Sequence, residues 1–112
     1  MIIRKNRFHG YGSLKYVYRH GQTVRGPLFA LKTVDNPKRK SYRLAVVVSK
    51  KVNKSAVARN RIRRRLYEAA RQMQIDKPAD IVLTVYNETI QDEPWQNLNK
   101  QLKKQLKEAG VI

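Results

Sequence analysis

Cysteine is missing altogether from the 112 residues, and acids are scarce, with eight Asp and Glu against 25 Lys and Arg. The first absence excludes a disulfide framework, a thiolate nucleophile and a Cys-based metal site. The second leaves a formal net charge of +17, well beyond what solubility asks for, and points to a polyanionic partner. Long apolar runs are missing too. The longest, LAVVV at 44–48, falls far short of the roughly 17–25 residues that cross a bilayer, so nucleic acid is the expected partner and a membrane is not. MIIRKNRFHG at the start lacks the apolar stretch and small-residue cleavage site of a signal peptide, and the cytoplasm is the expected compartment. A hydrophobic content of 41% suffices for one core in a chain this short. The expectation is a single domain over 1–112.

What is present is patterned. In YGSLKYVYRH (11–20), Tyr11, Leu14 and Tyr18 recur at i, i+3 and i+7, one face of a short helix that Gly21 would stop. LFALKTV (28–34) and YRLAVVVS (42–49) are rich in Val, Leu and aromatics, and DNPKRKS (35–41) between them carries turn residues, so an antiparallel strand pair is expected there. From Ser55, a reasonable N-cap, to about Gln74, the stripe Ala58, Ile62, Leu66, Ala69 and Met73 predicts a helix. DIVLTVY (80–86) reads as a central strand, and Pro94 to Ala109 as a last helix with Trp95, Leu98, Leu102 and Leu106 on its apolar side. This order suggests an α/β sandwich of the α+β class, with helices covering one face of a small sheet.

The second helix carries an unusual load. VARNRIRRRLYEAAR (57–71) holds six arginines, and between 50 and 71 nine basic residues stand against the single acid Glu68. At about 100° per residue, Arg59 and Arg65 flank the apolar stripe. Asn60, Arg63, Arg64, Tyr67 and Arg71 fall on the outward half, and Arg61 lies beside Glu68. Like charges at i,i+4, such as Arg59 with Arg63, destabilise an isolated helix by a few tenths of a kcal/mol per pair. Solvated helix faces normally mix signs. An array of one sign is explained by phosphates, which bind guanidinium bidentately and release counterions when neutralised.

No helix-turn-helix or zinc module is visible, whereas a sheet with aromatics beside a basic helix leans toward RNA or single strands, where bases stack on rings. The available rings include Tyr11, Tyr16, Tyr18 and Phe29. For Phe29 core packing is the better reading, and for Tyr18 packing and stacking stand level. A protein ribonuclease using His9 and His20 as base and acid is disfavoured, because the intervening helix would hold them roughly 15 Å apart. His20 suits a helix C-terminus, where its charge meets the dipole. The carboxylates Asp76 and Asp80 flank a Pro-containing turn, and Glu88, Asp92 and Glu93 sit in a loop where solvation is the plain reading and assistance to a metal ion a second one.

SKKVNKSAVARNRIRRRLYEAAR (49–71) resembles the signature of the bacterial ribonuclease P protein subunit: a Val-rich strand ending in S-K-K, a short linker, then R-N-R-[IV]-[KR]-R and a helical tail. KYVYRHG (15–21) is similar to the end of that family's first helix, and DIVLTVY and the last basic helix extend the likeness over nearly the whole chain. The resemblance implies the order αβββαβα, with parallel strands joined by a left-handed βαβ crossover against the usual preference. It implies the small protein partner of a catalytic RNA that removes the 5′ leader of precursor tRNA, with the chemistry carried by the RNA and its Mg2+, no catalytic residue or cofactor in this chain, and no obligatory protein partner. Carried over by residue, Lys50, Lys51, Lys54, Arg59, Asn60, Arg61, Arg63, Arg64 and Arg65 would meet the catalytic RNA. Leu14, Tyr18 and Lys32, with Ser49 at the strand end nearby, would line a cleft for the single-stranded leader, and Tyr11 joins them on helical spacing alone. Leu14 and Lys32 stand where members can carry aromatics, and Asn53 replaces a frequent glycine. The alternative is a general or ribosomal RNA-binding protein.

Overall fold

The computed structural model describes residues 11–112; His9 and the other nine residues at the start lie outside them. Helix α1 spans Tyr11–His20, followed by strands β1 (Gln22–Arg25), β2 (Phe29–Asp35) and β3 (Arg43–Val48), helix α2 (Ala56–Arg71), strand β4 (Ala79–Val85), a one-turn 3-10 helix (Glu88–Gln91) and helix α3 (Trp95–Glu108). The expected order αβββαβα is the observed one.

The four strands lie in the order β1-β2-β4-β3. Strand β4 pairs antiparallel with β2, Leu31 opposite Leu83, and parallel with β3, Leu44 opposite Ile81. The expected antiparallel pair of β2 and β3 is therefore corrected: β4 separates them. The reason lies in composition. All of β4 except Thr84 is buried, and so continuously buried and mostly apolar a strand is stable only with neighbours on both edges and cover on both faces. Parallel β3 and β4 in turn need a crossover, which α2 supplies.

Alternation along β3 sends Leu44, Val46 and Val48 to one face and Ala45 and Val47 to the other. The first face, with Phe29, Leu31, Ile81 and Leu83, packs on Ile62, Leu66, Ala69 and Ala70 of α2 and on Leu98, Leu102 and Leu106 of α3. Phe29 is thus a core residue. On the opposite face Val17 of α1 meets Ala45 and Val82, with Leu14, Val34 and Val47 half-buried around them. Helices cover both faces, not one, because the inward alternation of β4 leaves Val82 on the far side in need of cover. Helix α1 is only ten residues long and shields part of that face. It stops at Gly21, whose N–H bonds Val17 O at 2.8 Å; a Cβ there would lie 2.6 Å from the same oxygen and 3.0 Å from Thr33 O, so only glycine fits.

Two polar anchors set the rest. Buried Gln105 donates from Nε2 to Val24 O and Phe29 O, both at 3.1 Å, pinning the β1–β2 turn to α3. Buried Asp80 accepts from Arg43 Nε at 2.8 Å and Nη2 at 2.7 Å and from Asn36 Nδ2 at 3.0 Å, fastening the 36–42 loop to the sheet. The hydrogen bond to Asp80 raises the Arg43 pKa further above its ordinary value.

Candidate nucleic-acid interface

Helix α2 begins where expected. Ser55 is extended, and its Oγ accepts from Ala58 N at 3.2 Å, closing the first turn. Asn53 prepares that turn, taking Ser55 N at 2.9 Å on Oδ1. Asn53 Nδ2 meanwhile reaches Glu88 at 3.2 Å. Ahead of it, Val52 N bonds Ser49 O at 3.1 Å, a tight turn that leaves Ser49, Lys50, Lys51 and, after it, Lys54 exposed.

The arginines then divide into two groups. Arg59 and Arg65, which the wheel puts beside the apolar stripe, are half-buried and turn inward. Arg59 Nη1 donates to Asn53 O and Lys54 O, both at 2.9 Å, tying the linker onto the helix. Arg65 donates from Nη1 to Ile90 O and from Nη2 to Glu93 O at 2.5 Å, and its guanidinium lies 4.6 Å from the centroid of the Trp95 ring. Sequence reasoning put both in one RNA-facing set and missed that each caps backbone carbonyls of its own chain.

Arg61, Arg63 and Arg64 make up the second group. Among the described residues none of the three has a carboxylate within ion-pair distance. Arg61 and Arg64 are exposed, and Arg63 Nη1 is held at 2.6 Å by Oδ1 of Asn60, so the asparagine aims a guanidinium rather than acting alone. Arg71 instead pairs with Glu68, whose carboxyl it holds down to about 2. Tyr67, assigned by the wheel to the outward half, is half-buried against the core, and its hydroxyl accepts from Val46 N at 3.4 Å. Its ring is long enough to reach from the helix flank to the free edge of β3.

A second surface lies on the sheet face that α1 covers only in part. Ala30, Thr84 and Val47 are partners across β2, β4 and β3, all half-buried, and form its floor. Tyr18, 39% exposed, stands beside it with its hydroxyl 3.5 Å from Thr84 Oγ1. Lys32 donates to Tyr18 O at 2.6 Å and passes 5.8 Å from the centre of its ring. Its ammonium thus caps the carbonyl end of α1 beside the Tyr18 ring. Leu14 packs inward, and the side chain of Tyr11 lies outside the described structure. Tyr86, 46% exposed just after β4, is a ring that sequence reasoning passed over. The structure so brings Tyr18 and Lys32 together, with Leu14 behind them, while Ser49 follows the end of β3.

The acidic loop does not converge. Glu88 faces Asn53 and Glu93 faces Asn97, and among the described residues no three His, Asp or Glu side chains are grouped as metal ligands would be. No helix of the described residues is long and apolar enough to cross a membrane.

Comparison with known proteins gives one consistent result. The family model described as Ribonuclease P matches residues 3–110. The chain is 36% identical to the ribonuclease P protein component of a Pseudanabaena species, over all of this chain and 97% of the relative, and 30% identical to that of Prochlorococcus marinus over 98% of each. Its structure is similar to that of the Staphylococcus aureus RNase P protein, with a TM-score of 0.80 at 27% identity over 95% of this chain and 96% of the other. The Thermotoga maritima RNase P protein shares the fold, with a TM-score of 0.75 at 22% identity over 85% and 89%.

Proposed function

Because the chain belongs to the ribonuclease P protein family, whose members are components of an endoribonuclease, we propose that it binds the catalytic RNA of that enzyme through α2 and the 5′ leader of precursor tRNA through the cleft beside α1. The observation that carries this reading is the division of the arginines. Arg61, Arg63 and Arg64 stand on a folded helix without acidic partners among the described residues, and Asn60 aims one of them. Lys50, Lys51 and Lys54 extend the basic surface along the linker. A phosphate backbone neutralises such an array and releases counterions in doing so.

In the cleft, Tyr18 offers a ring face and Lys32 a charge to one strand of RNA, over a floor of Ala30, Thr84 and Val47. Ser49 follows β3 at the start of the basic linker. A leader held here adds affinity that mature tRNA, lacking a leader, cannot share. One or two stacked bases with their phosphates contribute roughly 1.4–3 kcal/mol, a preference of about tenfold to hundredfold for precursor over product. Substrate is retained and product leaves.

The bond-breaking chemistry in this reading belongs to the RNA and its Mg2+, and this chain contributes affinity and charge screening, in the cytoplasm and without an obligatory protein partner. Positive surface between two RNAs lowers their mutual repulsion, so the Mg2+ requirement falls. The test is multiple-turnover cleavage of precursor tRNA by a bacterial ribonuclease P RNA at low Mg2+, with and without the protein, beside the protein alone. A slow RNA, a fast mixture and an inert protein are expected. A mixture no faster than the RNA alone refutes the subunit role in favour of general RNA binding, and cleavage by the protein alone refutes the assignment of chemistry to the RNA.

A further inference from the structure

Trp95 is the only tryptophan in the chain, and it sits badly for a core residue. Leu98, Leu102 and Leu106 of the same helix face are buried, yet Trp95 is 42% exposed. The sequence pattern predicts an apolar contact and the structure gives a solvent-facing ring at the first residue of α3. One side of the indole is covered by the Arg65 guanidinium, 4.6 Å from the ring centre, and that guanidinium is itself fixed by Ile90 O and Glu93 O. The ring is therefore backed on one side by a guanidinium held at two points. A groove of about 350 Å3 with mostly apolar walls opens beside it, lined by Trp95, Arg64, Arg65 and Glu68. This is near the lower end of ligand-site volumes, room for one planar group and not for a folded element.

We infer that Trp95 is a stacking platform for one unpaired base of the catalytic RNA, with Arg64 meeting that nucleotide's phosphate. The inference rests on the reading of α2 as the face that binds this RNA. Charge selects the occupant: Arg64 belongs to the array that lacks acidic partners among the described residues, and Glu68, the one acid in the groove, pairs with Arg71. A base has the flat π-face that an exposed indole takes without sequence preference, and its phosphate supplies the anion Arg64 lacks. A second copy of this chain, carrying the same positive charge, is repelled.

With a single tryptophan, indole emission, excited selectively over the tyrosines, reports on this site alone. The protein is titrated with a bacterial ribonuclease P RNA at fixed salt while indole emission and filter retention are followed together. Emission quenched in step with retention is expected. Trp95→Phe should bind within about threefold of wild type, and Trp95→Leu, which keeps apolar bulk and loses the π-face, roughly five- to hundredfold more weakly. Retention without any change in emission overturns the platform and leaves the RNA-binding role of α2 standing, as does equal binding by the Leu and Phe variants. Absence of retention overturns both. Emission that changes with protein concentration in the absence of RNA identifies a second copy as occupant and overturns the proposal. Because the wild-type titration needs no substitution, a variant that fails to fold leaves the test intact.

Discussion

Arg65 and Arg63 stand two residues apart in the same basic run, yet their removal should have opposite consequences. Arg65 gives two charge-assisted hydrogen bonds to carbonyls of the segment between β4 and α3, and it stacks on Trp95. Each such bond contributes about 1.5–3 kcal/mol and the ring contact about 0.5–1 kcal/mol. Arg65 is half-buried, so water replaces part of what is lost, and about 2–3 kcal/mol is the expected cost of Arg65→Ala. For a domain of this size that lowers Tm by roughly 8–12 °C. Arg63→Ala removes only a bond to Asn60 at the surface and relieves repulsion from its neighbours, so stability should change by no more than about 0.5 kcal/mol.

Binding should show the reverse. Replacing Arg61, Arg63 and Arg64 together with Ala should reduce the slope of log K against log salt by about 2, from roughly 0.7–0.9 per phosphate contact. Arg65→Ala, measured below its own Tm, should leave the slope nearly unchanged. Thermal unfolding by circular dichroism and filter binding to ribonuclease P RNA over a salt series give both quantities from the same preparations. If Arg65→Ala melts like wild type while its salt slope falls by one contact, Arg65 is a phosphate ligand and the division of the arginines is wrong.

Three further outcomes are expected. Tyr18→Ala should weaken precursor tRNA binding by roughly fivefold to fiftyfold and leave mature tRNA untouched; equal losses on both remove Tyr18 from the leader cleft. Asp80→Ala removes the buried carboxylate that Arg43 and Asn36 share, with the Arg43 side chain only 20% exposed, and should cost about 2–4 kcal/mol in urea unfolding, whereas a loss under 1 kcal/mol would mean that other groups or water replace the carboxylate equally well. Glu68 has its pKa depressed from 4.5 to about 2, chiefly by the hydrogen bond from Arg71, so its contribution is complete above about pH 4.5 and lost as pH falls toward 2. Carboxyl NMR should show the low midpoint and Arg71→Ala should move it upward; a midpoint indifferent to that substitution argues against the pairing.

Most of the elements were legible because local patterns encode them. The period of Ile62, Leu66 and Ala69, the N-cap at Ser55 and the stop at Gly21 act within one or two turns, and each sits in the structure where the pattern puts it. The pairing of β2 with β4, rather than with β3, is a long-range choice driven by how much of β4 must be covered on both faces, and a turn-rich segment between two strands says nothing of an intruding third. For the same reason the wheel misplaced Tyr67, whose reach to the edge of β3 depends on where α2 lies over the sheet.

The basic surface illustrates the limit most sharply, since charge counts alone make its arginines equivalent. The wheel does separate Arg59 and Arg65 from the rest, and the half-burial of both agrees with that angle. What the wheel lacks is knowledge of the carbonyls waiting there: Asn53 and Lys54 in the linker, Ile90 and Glu93 in the segment entering α3. Those carbonyls arise because a short linker and a one-turn helix leave backbone acceptors without partners in regular structure, and buried or half-buried acceptors demand donors. Arginines at the flank of α2 meet that demand and bind the helix to both segments. The outward arginines are then carried on a helix whose backbone is already ordered, so the entropy still lost on binding the polyanion is the rotamer freedom of the exposed side chains rather than that of the chain.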